Sequence, residues 1–120
     1  MIGYATVGTN DMERASKYYD ALLGEFDAKQ AWDNGRVRGY VGPYGMFAIA
    51  TPHDGEAATV GNGSMFAFRA KDREMVDRVY AKAMELGSKD EGAPGARTDN
   101  FYGAYFRDPD GNKLCVFKAG

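Results

Sequence analysis

Cys115 is the only thiol in this chain and His53 the only imidazole. A nucleophile–base couple would need the two side by side. His53 lies between Pro52 and Asp54 in a Gly-rich stretch, where an isolated histidine reads as solvated. Cys115 sits in the middle of Lys113-Leu114-Cys115-Val116-Phe117 and reads as a small hydrophobe, with no histidine beside it to lower its pKa. Other side chains carry recognition chemistry. Tyr4 offers a phenol that can donate a hydrogen bond to a ligand or act as a general acid. Trp32, Tyr40 and Tyr105 can stack a flat molecule, or pack as ordinary strand aromatics. Arg36, Arg38 and Tyr40 alternate along one strand and form either a ligand-facing set or a solvated face. Met46 and Met65 read as adaptable apolar lining.

Two further motifs resolve into turns. Gly61-Asn62-Gly63 lacks the strand-to-helix setting of a phosphate loop and reads as a joint. Asp108-Pro109-Asp110-Gly111 lacks the alternating acids and distal Glu of a calcium loop.

The elements that must position these groups follow from periodicity. Ile2–Thr9 alternates as a strand. Asn10 to Glu13 reads as a capping box, with Asn10 the cap. Met12, Ala15, Tyr19, Leu22 and Leu23 recur at helical spacing, and Gly24 is the expected stop. Asn34-Gly35 predicts a tight hairpin between strands 27–33 and 36–41. A fourth strand spans 46–51. Residues 52–63 are a linker. The pattern then restarts: strand 64–69, a cap at Asp72, a helix ending at Gly87, a loop-rich stretch 88–99 with room for one short edge strand, and strands 102–107 and 112–118. Tyr4 and Met65, Asp11 and Asp72, and Tyr19 and Tyr80 are each 61 residues apart. The expectation is an α+β fold made of two tandem β-α-β-β-β repeats, residues 1–55 and 64–120 of a single 1–120 domain. The repeats would form an open curved sheet or cup with the helices outside. Alternation places the purely apolar strand faces on the helices. It turns the mixed faces, bearing Tyr4, Ala48, Met65 and Cys115, toward a ligand.

Composition narrows the function classes. With 120 residues, 44% hydrophobic and 27% charged, the chain can bury a core without staples. A net charge of −2 gives no electrostatic footprint for nucleic acid. The longest apolar run, Met46–Ala50, is too short to span a membrane. No basic-then-apolar leader precedes the first strand, and one cysteine allows no intrachain disulfide, so a cytoplasmic location is expected.

The sequence resembles the vicinal oxygen chelate superfamily of glyoxalases, bleomycin-resistance proteins, fosfomycin-resistance enzymes and extradiol dioxygenases. The matching stretches are Tyr4 through Ala15, Tyr18-Tyr19-Asp20, Leu22-Leu23-Gly24, and the closing Arg107-Asp108-Pro109-Asp110-Gly111-Asn112-Lys113-Leu114. The resemblance implies a homodimer. It also implies that, in metal-dependent members, the ligand positions fall on Tyr4, Met65 and Cys115, with Ala48 at the equivalent place in the first half. A phenol, a thioether and one thiol are a poor set for a divalent ion. The expectation is therefore no metal and no cofactor. The chain is read as a small-molecule-binding protein or a metal-independent enzyme. Its expected binding residues are Tyr4, Trp32, Arg38, Tyr40, Met65, Tyr105 and Cys115, and an anionic or carbonyl-bearing ligand follows if the hairpin arginines face inward. The alternative is a metal-dependent lyase, isomerase or dioxygenase of the glyoxalase type, whose ion acts as a Lewis acid on paired oxygens.

Overall fold

A computed structural model describes all residues, Met1–Gly120. The chain divides into two compact units, Met1–Asn62 and Gly63–Gly120. Each unit runs β-α-β-β-β. Unit 1 holds β1 (Tyr4–Gly8), α1 (Met12–Gly24), β2 (Lys29–Asp33), β3 (Val37–Gly42) and β4 (Gly45–Ala50). Unit 2 holds β5 (Phe66–Arg69), α2 (Arg73–Glu85), β6 (Lys89–Thr98), β7 (Phe101–Arg107) and β8 (Lys113–Ala119). The sheets have matching orders, β1-β4-β3-β2 and β5-β8-β7-β6. In both, the first strand pairs parallel with the last and the others pair antiparallel. The α+β repeat read from the sequence is the repeat in the structure.

Each helix is amphipathic and covers one face of its own sheet. α1 buries Ala15, Tyr18, Tyr19, Leu22 and Leu23, and α2 buries Met75, Val76, Val79 and Ala83. Tyr19 meets Phe47 of β4 with ring centroids 5.4 Å apart, so Phe47 and its register partners Ala5 and Tyr40 face α1. In unit 2 the Tyr102 hydroxyl donates to Asp77 of α2 at 2.6 Å, which turns Tyr102, Ala104 and Phe106 toward the helix. Leu114, Val116, Phe66 and Phe68 follow by register. The buried core of each unit lies between its helix and this face.

Helix ends differ from the expectation in two places. The α1 cap is Asp11, whose side chain accepts from Arg14 N, and not Asn10. Asn10 instead clamps the linker: its Oδ1 accepts from Ala58 N at 2.7 Å and its Nδ2 donates to Ala58 O at 3.2 Å. Gly24 does not stop α1 but belongs to its last turn. The chain reverses at Asp27, the one non-glycine residue with positive φ (57°), while Ala28 N bonds back to Leu23 O. α2 ends the same way but with glycine: Gly87 has φ 89°, and Ser88 N bonds to Ala83 O. The Asp72 cap stands where the sequence put it, accepting from Met75 N at 2.8 Å.

Of two loop readings, the hairpin stands and the loop-rich stretch changes. At Asn34-Gly35 only Gly35 takes positive φ (92°), and the Asn34 side chain holds the turn by accepting from Arg36 N and Val37 N. The stretch expected to be loop-rich is the ten-residue edge strand β6, broken in register at three places. Gly92, Pro94 and Gly95 explain both the disguise and the breaks, since glycine and proline erase the strand pattern yet are tolerated at an irregular edge. The closing turn is rigid. Buried Asp108 accepts from Asp110 N, Asn112 N and Asn112 Nδ2 at 2.8–2.9 Å.

A left-handed backbone costs a non-glycine residue about 1–2 kcal/mol, partly relieved for Asp. Asp27→Gly is therefore expected to stabilise the fold by roughly 0.5–1 kcal/mol. Urea denaturation midpoints of the two proteins check this.

Candidate functional site

Each sheet has a second face that its own helix does not touch. In unit 1 that face carries Tyr4, Thr6, Met46, Ala48, Val41 and Trp32 by alternation from the helix-facing residues. Trp32 pairs with Gly39, and a Cβ built on Gly39 would fall within the indole ring. The indole thus lies on the bare backbone of β3, beside fully buried Ala48. Tyr4 is 59% exposed and Val41 45%, so the rim of this face is apolar and open.

Arg38 and Tyr40 are not on that face, and neither of their two expected settings holds. Arg38 donates from Nη1 to Ser16 Oγ at 2.6 Å and pairs with Glu13 (3.3 Å) and Asp33 (3.0 Å). Tyr40 is buried and donates to Asp20 Oδ1 at 2.7 Å. Burial and the adjacent Asp20 carboxylate push its phenol far above the usual range, against smaller opposing effects of Ser16 and Arg38. Both side chains join β3 to α1. Period-2 alternation fixes that they share a face but cannot say which face. Tyr40 lines, with Asp20, Asp27, Lys29 and Gln30, a cleft of about 570 Å³ between the end of α1 and β2. Arg36 donates to Thr51 O at 2.8 Å and holds the end of the hairpin.

The helix-free face of unit 2 has a different character. Its central row is Ala67, Cys115, Tyr105 and Gly92. Arg69, Phe117, Gly103 and Gly95 form the row on one side, and Lys113, Arg107 and Lys89 the row on the other. Cations sit on rings: Arg97 is 5.3 Å and Lys113 5.6 Å from the Tyr105 centroid, and Arg69 is 5.1 Å from that of Phe117. Phe117 stacks on Phe101 at 5.3 Å with the planes 4° apart. Arg107 is paired with Glu91 at 3.3 Å, but no carboxylate pairs with Arg69, Arg97 or Lys113. Arg97 is held instead by two backbone carbonyls, those of Ala93 and Gly95, both at 2.8 Å.

Of the seven residues singled out from sequence, the structure places Tyr4 and Trp32 on the helix-free face of unit 1. Tyr105 and Cys115 stand side by side on that of unit 2. Met65 precedes β5 and is 43% exposed. Arg69, Arg97, Lys113 and Phe117 were not singled out. Three of them lie in the mixed strand sets that alternation identifies, so the signal was present. Arg97 was hidden inside the stretch read as a loop.

Cys115 is fully buried, and loss of solvent pushes its thiol up to about 11, with Arg97 and Lys113 pulling the other way. At neutral pH it is a neutral thiol, which is neither a nucleophile nor a ready metal ligand. His53 is exposed in the linker. No three His, Cys, Asp or Glu side chains come together as a metal-holding group. The positions that the resemblance assigns to a metal carry a phenol, a thioether and a thiol held neutral, and this donor set does not fit a divalent ion. No helix is long and apolar enough to cross a membrane.

Two βαβββ units with matching strand orders, each with a helix-free sheet face, define a class of α+β protein known from many structures. The family model for the Glyoxalase/Bleomycin resistance protein/Dioxygenase superfamily matches residues 1–116, and the chain belongs to that superfamily. It is similar to a glyoxalase/bleomycin resistance protein from Albidiferax ferrireducens T118, with 42% identity, a TM-score of 0.90, and 98% and 97% of the two chains covered. The fold is also that of the fosfomycin resistance protein FosX from Mesorhizobium loti (20% identity, TM-score 0.74, 100% and 92% covered). Lactoylglutathione lyase from Agrobacterium tumefaciens shares it too (19% identity, TM-score 0.74, 98% and 92% covered). Among curated proteins no sequence match was found.

Two outcomes test this geometry. Trp32 is the single tryptophan. Gly39→Ala is expected to lift it off β3, shifting its emission to the red and costing about 1–3 kcal/mol by overpacking. For Cys115, an unfolded thiol ionises near pH ~8.5, whereas the folded one holds its proton to about 11. The thiol's contribution to stability is therefore complete below pH ~8.5 and is lost as pH rises toward 11. Alkylation by iodoacetamide is expected to be slow at pH 8 in the native protein and fast in urea.

Proposed function

We propose that the protein binds a small organic molecule on the helix-free sheet face of unit 2 and does so without a metal ion. The observation that carries this reading is the trio Arg69, Arg97 and Lys113, which share a face with Tyr105 and Phe117 and lack carboxylate partners. Charges without counter-charges on an aromatic surface suit a ligand better than they suit stability, because isolated cations repel one another. The family supports a small-molecule role in general terms, since it groups glyoxalases, bleomycin-resistance proteins and dioxygenases. Family membership alone does not choose a reaction, because one fold hosts several chemistries.

The carboxylate that meets this face, Glu91, is paired with Arg107 and Lys89, which disfavours sequestration of a cationic drug. A metal-dependent isomerase or dioxygenase would need oxygen or nitrogen ligands where Tyr4, Met65 and Cys115 stand, and this argues against that alternative. Tyr4 and Trp32 lie on the face of unit 1 and are read as an apolar recognition surface of that unit by itself. The homodimer implied by the resemblance is part of the proposal as well.

A thermal-shift series with a broad panel of small organic acids, amides and alcohols tests the proposal. A true ligand raises the midpoint with concentration, as binding to the native state alone requires. The rise is expected to persist after EDTA treatment. A rise abolished by EDTA and restored by a divalent metal would transfer the function to the metal-dependent alternative, and a flat response across the panel would refute the proposal.

A further inference from the structure

We infer that the ligand of the unit 2 face is a planar, conjugated carboxylate about the size of one aromatic ring. The inference rests on the preceding reading of this face as a binding surface and adds the class of molecule. Its first support is the placement of charge. Arg69 stands on the edge strand β5, Arg97 on the opposite edge strand β6, and Lys113 on β8 between them. Adjacent strands are roughly 4.8 Å apart and same-face neighbours roughly 7 Å apart along a strand, so the backbone positions of the three cations span some 10–15 Å, with the charged heads of Arg97 and Lys113 both drawn in toward Tyr105. That span accommodates one ring and its substituent.

The second support is the surface within that span. Its centre is exposed Ala67 and half-buried Tyr105, laid over the fully buried Cys115, apolar or aromatic and without a carboxylate. The stacked pair Phe117 and Phe101 flanks it. Gly103 keeps the surface low beneath Phe101, since a Cβ there would come 2.8 Å from Phe101 Cε1. A flat ligand can lie on such a platform with its ring against these side chains and with guanidinium groups over its faces.

The third support is the preparation of Arg97. Its two bonds to Ala93 O and Gly95 O fix the guanidinium plane and use two of its five N–H groups. Three donors are left in a rigid fork, the geometry that receives a carboxylate through two parallel bonds. A phosphate group would favour a different site. Phosphates are gripped by fans of backbone N–H groups at helix starts and nests, whereas the backbone N–H groups of this platform are largely consumed by the ladders of β7 and β8.

The test is a titration of uniformly ¹⁵N-labelled protein, followed by amide shifts, with four probes: benzoate, benzamide, cyclohexanecarboxylate and inorganic phosphate. Benzoate is expected to move amides of β5, β7 and β8 saturably, and to bind at least several-fold more tightly than the other three. Arg97→Gln and Lys113→Gln are each expected to weaken benzoate about tenfold, as loss of a charge-assisted bond does. Both should leave the rest of the spectrum native. Lys82→Gln on α2 is expected to change nothing. Unchanged benzoate affinity in a folded Arg97→Gln or Lys113→Gln protein overturns the assignment. Equal binding of benzamide overturns the anionic class, and equal binding of cyclohexanecarboxylate overturns the planar one, while both leave the platform a binding site. Equal binding of phosphate overturns the carboxylate. If no probe saturates, and the broad thermal-shift panel is also flat, the binding function falls together with its ligand class.

Discussion

A four-stranded sheet has two faces, and in this protein each sheet has one helix of its own. That mismatch is the constraint on which the rest depends. The helix removes one apolar face from water and creates the core, with Tyr19 against Phe47 in unit 1 and Tyr80 against Phe106 in unit 2. The strands that supply this face must, by their alternation, expose an equal number of side chains on the other. Those side chains are released from the demands of the helix interface. In unit 2 they have become a set of cations over aromatic rings, in a chain whose overall charge is −2. The local setting of these cations matters more than the sum, since Arg69, Arg97 and Lys113 have no carboxylate partner while the nearby Glu91 is paired with Arg107 and Lys89.

The same constraint frees two of the positions that the resemblance assigns to a metal from the demands of the core. Tyr4 and Cys115 are on helix-free faces, so their identities are not dictated by packing against α1 or α2. What holds the fold lies elsewhere: in the caps Asp11 and Asp72, in the closed hydrogen-bond ring around Asp108, and in the apolar stripes of the helices. These are also the stretches that made the family visible in the sequence. The matching motifs report architecture and leave the chemistry to the helix-free faces.

Much of the fold was legible because it rests on periodicities and on a repeat at a 61-residue offset. Asp72 as a cap and Gly87 as a stop could be read because each does its work through its own backbone or side chain. Readings failed where two residues could do the same job or where a partner was remote. Asp11 and Asn10 are both good caps, and only the contact with Ala58, 48 positions away, decides between them. Asp27 could not be foreseen as the left-handed residue because Gly24, a better candidate, lies three positions earlier. Of the candidate site, alternation picked out the mixed faces and Cys115 with them, whereas Tyr105 stood out only as an aromatic able to stack. It could not orient β3, so Arg38 and Tyr40 were as compatible with a ligand as with the α1 carboxylates they meet. Arg97 stayed out of view because glycine and proline around it carry no strand signature.

Those same glycines and that proline bear on how the molecule behaves in a crowded solution. The outer border of the second sheet is ten residues long, enough in a regular strand to recruit another polypeptide and seed cross-β growth. Pro94 contributes no amide hydrogen, Gly92 sits at φ 153°, and the pairing slips at three places along its length. An incoming chain would find no continuous run of evenly spaced donors and acceptors on which to zip. The irregularity that hid this strand from pattern reading thereby guards a long exposed margin against aggregation.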